Sequence, residues 1–85
     1  MKYIFVDESW EDYLYWQKTN KKIVKRINEL LKSISRTPFE GIGKPEPLKY
    51  KYKGFWSRRI DEEHRLIYRV NEDEILIAKC RFHYD

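Results

Sequence analysis

Apolar side chains repeat at helical spacing in the first half of the chain. Over one stretch every third or fourth residue is apolar, which predicts an amphipathic helix. The apolar positions are Ile23, Ile27, Leu30, Leu31 and Ile34. Asn20 is a favourable N-cap for this helix, and the Thr-Pro pair at 37–38 predicts its end near residue 36. A shorter helix is predicted over residues 9–18, with Ser9 as N-cap and Asp12 as the acid of a weak capping box.

Strand-like patterns flank this helical half. Residues 2–6 are rich in β-branched and aromatic side chains and predict a strand before the first helix. Residues 55–60, 64–70 and 74–82 predict three strands joined by short turns, as in an antiparallel meander, and a short strand is predicted near 48–52. Because helices and strands occupy separate parts of the chain, the predicted fold is α+β. It has an N-terminal strand and two helices packed on an antiparallel sheet of about four to five strands.

Size and composition narrow the class of protein. The chain has 85 residues, which predicts a single domain over residues 1–85. Hydrophobic residues make up 41% of the chain, so its 38% of charged residues do not indicate disorder. No apolar run reaches the ~18–20 residues that span a bilayer, and one cysteine cannot form an intramolecular disulfide. These features predict a cytoplasmic protein without a membrane partner.

Positive charge is concentrated in two blocks. The chain has 18 Lys and Arg against 14 Asp and Glu, a net charge of +4. Residues 18–36 contain seven basic residues and one acid, and residues 44–60 contain six and one. Such blocks indicate a polyanionic partner such as nucleic acid. The first block is equally explained as the solvated face of a helix, whereas basic residues of the second block alternate with aromatic ones.

Candidate catalytic groups lie in the second half. Glu46 stands between two prolines that restrict its backbone, seven lysines and arginines follow it between residues 49 and 69, and His83 lies near the end of the chain. Metal-free RNA cleavage needs a base for the ribose 2′-hydroxyl, an acid for the leaving 5′-oxygen, and cations for the phosphoryl oxygens. The same residues also fit a solvated loop acid, a tail histidine and ordinary surface arginines, and their spacing does not decide between the two interpretations.

Other reactive residue types favour structural roles. Cys80 alternates with apolar neighbours and is interpreted as a small core residue, and His64 is interpreted as structural or solvated. Arg58 and Arg59 would point to opposite faces of a strand, so at most one of them serves any single site. The sequence has no set of His, Cys and carboxylate residues at metal-ligand spacing and no Gly-rich phosphate loop, so neither a metal nor a cofactor is expected.

Ordered motifs give the chain a resemblance to a known family over essentially its whole length. They are ESWEDY at 8–13, RTPFEG at 36–41, GKPEPLK at 43–49, GFWSRRI at 54–60, EEHRL at 62–66 and RFHY at 81–84. In these motifs the chain resembles the YoeB toxins (Txe/YoeB family) of the RelE/ParE toxin superfamily. The resemblance implies a microbial-ribonuclease-like fold, a toxin that cleaves mRNA in the ribosomal A site, a YefM-type antitoxin and a homodimer.

The resemblance also implies a role for six residues. Glu46 matches the family's general base, His83 the general acid, and Arg65 the phosphate-stabilising arginine. The remaining matches are Tyr84, an aromatic that places the scissile nucleotide, and the supporting cations Lys49 and Arg59. The chain departs from the family pattern at residues 50–53, which are more basic and aromatic than usual, and at Asp85, an additional terminal acid.

Two alternatives and one geometric difficulty stay open. A non-catalytic inhibitor that acts by protein binding, like the ParE toxins, would lack the Glu46 and His83 pair, and a passive RNA- or ribosome-binding module would need only the basic blocks. On a regular strand, His83 and Tyr84 would face opposite sides of the sheet. Both can reach one site only if the chain leaves strand geometry after Phe82.

Overall fold

The computed structural model describes residues 1–83, in which two helices pack on a five-stranded sheet. In chain order the elements are β1 (Lys2–Phe5), α1 (Asp7–Thr19), α2 (Lys21–Arg36), β2 (Glu46–Pro47), a 3₁₀ turn (Tyr50–Tyr52), β3 (Trp56–Arg59), β4 (Arg65–Asn71) and β5 (Glu74–Lys79). The predicted α+β class is confirmed. Neither described helix is long and apolar enough to cross a membrane.

Helix α2 forms as the pattern predicts. The side-chain oxygen of Asn20 accepts hydrogen bonds from the amides of Lys22 (3.1 Å) and Ile23 (3.4 Å), which satisfies two of the free amides at the helix start. All five predicted apolar positions are buried against the sheet. The apolar stripe and the cap together account for the position and length of this helix.

Helix α1 begins two residues earlier than predicted, and Ser9 is not its N-cap. Ser9 lies inside the helix, fully buried, and its hydroxyl donates to the carbonyl of Ile77 at 2.6 Å. Asp12 does not complete a capping box either, because its carboxylate accepts from the amide of Cys80 at 3.1 Å. Both polar side chains therefore connect α1 to β5, where they satisfy backbone groups that the helix covers.

The sheet has the order β1-β5-β4-β3-β2. Strands β3, β4 and β5 form the predicted antiparallel meander, but β1 pairs in parallel with β5, so the sheet is mixed. Because β1 is separated from β5 by most of the chain, no short turn determines its direction. β5 ends at Lys79, before the predicted residue 82.

The strand predicted near residues 48–52 is wrong. The strand in this region is the two-residue β2, and residues 50–52 form a 3₁₀ turn instead. Tyr50 has φ 57°, in the left-handed region, which breaks the extended backbone that a strand requires.

A buried arginine holds the irregular segment that follows α2. Arg58 is fully buried. Its guanidinium donates to the side chains of Ser33 and Tyr68 and to the carbonyls of Thr37, Glu40 and Ile42, at 2.7–3.1 Å. All five acceptors are neutral, and three of them are carbonyls of the loop that leads to β2. Hydrogen bonds from this buried side chain of β3 therefore hold the loop in its path toward Glu46.

Candidate active site

Strand pairing brings Glu46, Arg59 and Arg65 onto one face of the sheet. Glu46 lies directly opposite Ser57 on β3, and Arg59, two residues further along β3, lies directly opposite Arg65 on β4. Residues opposite each other, and residues two apart on a strand, share a face. Since Arg58 points to the helices, this face is the one away from them. The predicted opposite orientation of Arg58 and Arg59 is confirmed.

The carboxylate of Glu46 is displayed by a short, tightly held strand. Glu46 is exposed, and the residues on both sides of β2 are fastened to the meander. The amide of Arg59 donates to the carbonyl of Gly43 at 2.6 Å, and the amide of Leu48 donates to the carbonyl of Phe55 at 2.9 Å. Its flanking backbone is thus fixed while Glu46 itself stays exposed to solvent.

Arg65 offers a positive charge without a carboxylate partner among residues 1–83. Its Nη1 donates to the carbonyls of Asp61 (2.9 Å), His64 (3.1 Å) and Glu62 (3.4 Å). These neutral acceptors hold the guanidinium in place without neutralising it. A half-buried cation of this kind stabilises a phosphoryl group more strongly than a freely moving one.

The chain does leave strand geometry before His83. Phe82 has φ 66°, a left-handed conformation, and it is held at both backbone groups. Its amide donates to Nδ1 of His64 at 2.7 Å, and its carbonyl accepts from the amide of Arg65 at 3.0 Å. The exposed His83 therefore directly follows a residue that is bonded to the start of β4, the strand end that carries Arg65. Tyr84, the sixth predicted site residue, lies outside the described residues.

Lys49 and Glu46 line the same cavity. A cavity of about 460 Å³ is lined by the continuous segment from Glu46 to Tyr52, which includes the exposed Lys49. Tyr52, at its far end, has the ammonium groups of Lys51 and Lys79 at 5.3 and 5.6 Å from its ring centroid. A hydrogen bond with the side chain of Tyr52 raises the pKa of Lys79 above its ordinary value.

The sequence did not single out one contributor to this region, Lys79. It pairs across the sheet with Ile67, on the Glu46 face. Arg69 lies over the ring of Phe55, with its guanidinium carbon 5.0 Å from the centroid. The basic character of the sequence indicated cations in general, but only strand register selects the ones that share this face.

The residues interpreted as structural are buried. His64 accepts the hydrogen bond from Phe82 and packs edge-on to Trp16, with ring centroids 4.8 Å apart. Cys80 is fully buried, and burial raises the pKa of its thiol to about 12. Both interpretations are confirmed. Within residues 1–83 no group of three or more His, Cys, Asp or Glu side chains is placed to hold a metal ion.

Comparisons with known proteins agree with the fold and the motifs. The sequence model of the family described as "YoeB-like toxin of bacterial type II toxin-antitoxin system" matches residues 5–84. Toxin YoeB of Escherichia coli (strain K12) is 68% identical over 84 residues, covering 99% of this chain and 100% of that toxin. The resemblance inferred from the motifs is thereby confirmed.

Solved structures are similar over almost the entire chain. The YoeB/ParE toxin from Agrobacterium tumefaciens has a TM-score of 0.96 at 49% identity, covering 99% of this chain and 100% of that one. A YoeB dimer and a YoeB-YefM complex, both from Staphylococcus aureus, have TM-scores of 0.94 and 0.93 at 53% and 54% identity. Each of these two covers 99% of this chain and 98% of the other.

Proposed function

This chain belongs to the YoeB-like toxins of bacterial type II toxin-antitoxin systems, and on that premise we propose that it is an endoribonuclease that cleaves mRNA in the ribosomal A site and so inhibits translation. In this reaction the ribose 2′-oxygen bonds to the adjacent phosphorus while the bond from phosphorus to the 5′-oxygen breaks. The products are a 2′,3′-cyclic phosphate and a 5′-hydroxyl. A base removes the 2′-proton and an acid protonates the leaving oxygen.

Each predicted site residue has one role in this proposal. Glu46 is the general base, His83 is the general acid, and Arg65 stabilises the phosphoryl oxygens. Arg59 and Lys49 add positive charge, and Tyr84 positions the scissile nucleotide. The observation that carries the proposal is the strand register that puts Glu46 on the same face as Arg59 and Arg65. A carboxylate and two cations on one face of the sheet supply the base and the positive charge that the transesterification requires.

Product chemistry on ribosome-bound mRNA tests the proposal. We expect the upstream fragment to end in a 2′,3′-cyclic or 3′-phosphate and the downstream fragment to begin with a 5′-hydroxyl. Ribosome binding without fragments would reject the proposal. It would instead favour a passive RNA-binding module, or a non-catalytic inhibitor like the ParE toxins that acts by binding a protein.

The proposed reaction uses side-chain cations in place of a metal ion or cofactor. Because the ribosome itself needs Mg²⁺, metal dependence is tested on a minimal RNA at high toxin concentration. We expect cleavage of this RNA to continue in EDTA, since Lys49, Arg59 and Arg65 supply the charge. Loss of cleavage in EDTA, restored by added Mg²⁺, would contradict this part of the proposal.

We propose a homodimer and a YefM-type antitoxin as its protein partners, acting in the cytoplasm where ribosomes are available. The support is the dimer and the YoeB-YefM complex of the similar Staphylococcus aureus toxin. The net charge of +4 favours capture of an acidic antitoxin segment. Association rates measured by stopped flow should therefore fall as salt rises, since charges are screened beyond about 10 Å at 0.1 M. Rates that do not change with salt would reject electrostatic capture.

A further inference from the structure

Tyr50 is unusually exposed for an aromatic residue. Tyr50 is 91% exposed, whereas the other exposed large apolar residues among residues 1–83 are at most 53% exposed. It also has φ 57°, a conformation that disfavours any residue with a Cβ other than Asn or Asp. A tyrosine here contributes little to packing and strains the backbone, so its ring has no folding benefit that explains it.

The backbone that carries this ring is nevertheless well held. The amides of Tyr52, Lys53 and Phe55 donate to carbonyls three residues earlier, at 3.1, 3.0 and 2.9 Å. The segment begins after the buried Leu48, which is bonded to Phe55. The ring of Tyr50 is thus presented to solvent from a fixed platform rather than from a loose loop.

Lysines flank Tyr50 in the sequence. Lys49 and Lys51 are its direct neighbours, and Lys53 follows three residues after it. None of the three lysines is within ion-pair distance of a carboxylate of residues 1–83, and residues 47–60 contain no acid. This alternation of aromatic and cationic side chains is typical of surfaces that bind single-stranded nucleic acid, where bases stack and phosphates pair with lysine.

The cavity connects this surface to the proposed site. Glu46 and Tyr50 both line the cavity of about 460 Å³, with Lys49 between them in the chain. Because both residues line this cavity, we expect the neighbour of a nucleotide whose ribose meets Glu46 to approach the Tyr50 ring. Unpaired RNA bases are commonly recognised by stacking on such rings.

We propose that Tyr50 is a stacking platform for an unpaired RNA base, with Lys51 and Lys53 contacting the phosphates beside it. The inference rests on the proposed function, because it names a substrate subsite next to Glu46. RNA fits better than a protein partner, since the cores of protein interfaces are depleted in lysine and bury their aromatic anchors among apolar neighbours.

Two substitutions test the role of the Tyr50 ring without disturbing the fold. Tyr50→Asn removes the ring and suits the left-handed backbone, so the variant should fold at least as stably as the native chain. Tyr50→Phe retains the ring and is the matched control. The probe is a fluorescent oligoribonucleotide of about ten nucleotides, with 2′-O-methyl groups that block attack by the 2′-oxygen.

We expect Tyr50→Asn to weaken binding of this probe roughly 5- to 150-fold, equally at every salt concentration, because base stacking is uncharged. Tyr50→Phe should bind like the native chain. The double variant Lys51→Gln with Lys53→Gln should instead reduce the dependence of binding on salt. If Tyr50→Asn binds both the oligonucleotide and vacant ribosomes as tightly as the native chain, or if Tyr50→Phe shows an equal loss, the stacking role is overturned.

Parallel measurements identify the source of the base. If only oligonucleotide binding falls, the base belongs to mRNA, and if only binding to vacant ribosomes falls, it belongs to ribosomal RNA. If neither falls and antitoxin binding does, the surface is a protein contact and the inference is wrong. Because the probe cannot be cleaved, the result is independent of the proposed activity. If the native toxin cleaves mRNA and the Tyr50→Asn variant binds RNA as tightly as the native toxin, only this inference is rejected and the proposed function stands.

Discussion

The amide of Phe82 donates a hydrogen bond to Nδ1 of His64, at 2.7 Å. This contact joins residues 18 positions apart and holds the chain beside the start of β4 just before His83. His64 accepts through Nδ1, so in this state any proton on its ring is on Nε2. A buried structural histidine thus orients the segment that carries the proposed general acid.

Loss of the hydrogen bond between Phe82 and His64 should reduce mRNA cleavage by more than the accompanying loss of stability explains. His64→Ala removes the acceptor and leaves the Phe82 amide unpaired, which should lower the free energy of unfolding by about 1–3 kcal/mol. His64→Asn is the matched control, because its side-chain oxygen can take the place of Nδ1. Denaturant unfolding measures the stability of both variants, and mRNA cleavage is measured under conditions in which both are folded. Equal cleavage by the two variants would contradict an orienting role.

Glu46→Gln should preserve the fold and lose cleavage. Glu46 is exposed, so an isosteric amide should leave the free energy of unfolding unchanged within about 0.5 kcal/mol. Removal of the general base should lower the cleavage rate by about 10²–10⁴-fold. Glu29→Gln, an exposed acid on α2, is the control. Single-turnover cleavage on programmed ribosomes gives the rate, and a native rate for Glu46→Gln would remove Glu46 from the mechanism.

Neighbouring arginines on β3 should respond in opposite ways to the same substitution. Arg58→Met removes a fully buried guanidinium that donates to five acceptors, and should cost about 3 kcal/mol or more of stability. Arg59→Met changes an exposed side chain and should barely alter stability, but should lower cleavage by roughly 10²-fold. Thermal unfolding and cleavage assays on both variants test this difference. Equal destabilisation would show that the faces are misassigned.

Two glycines with left-handed backbones should differ in their tolerance of alanine. At Gly43 (φ 83°) an added Cβ would lie 2.7 Å from a methyl carbon of Leu30, inside the core, so Gly43→Ala should be strongly destabilising. At Gly54 (φ 95°) nothing lies within 4 Å, so Gly54→Ala should cost only the backbone strain of about 1–2 kcal/mol. Unfolding free energies of the two variants give the comparison, and similar values would contradict the close packing of Gly43 on α2.

Alkaline pH should destabilise the protein through Cys80. Burial raises the pKa of its thiol from the ordinary 9.0 to about 12. Between these values the unfolded chain releases a proton that the folded chain retains. The contribution of this thiol to the free energy of unfolding should therefore be fully present below pH 9 and be lost as pH rises toward 12. Cys80→Ala should remove this part of the pH dependence. The test is denaturant unfolding of both proteins at increasing pH, and parallel curves would refute it.

Local patterns in the sequence determined much of this protein. The helical repeat and the Asn20 cap specified α2, because both depend on residues within one or two turns of one another. Short turns specified the antiparallel meander for the same reason. The ordered motifs indicated the family and the candidate residues Glu46, Arg59 and Arg65, although they did not show that these side chains meet.

Tertiary structure alone decided where the side chains lie. Ser9 is a connection to Ile77 rather than a cap, and β1 runs parallel to β5. Strand register places Arg59 on the open face and Arg58 in the core, and a left-handed Phe82 redirects the chain before His83. The partners are distant in the chain: Ser9 and Ile77 lie 68 positions apart, Phe82 and His64 lie 18 apart, and Arg58 and Ile42 lie 16 apart. Such partners are brought together only when burial of the shared core selects one strand register, and no local pattern records that choice.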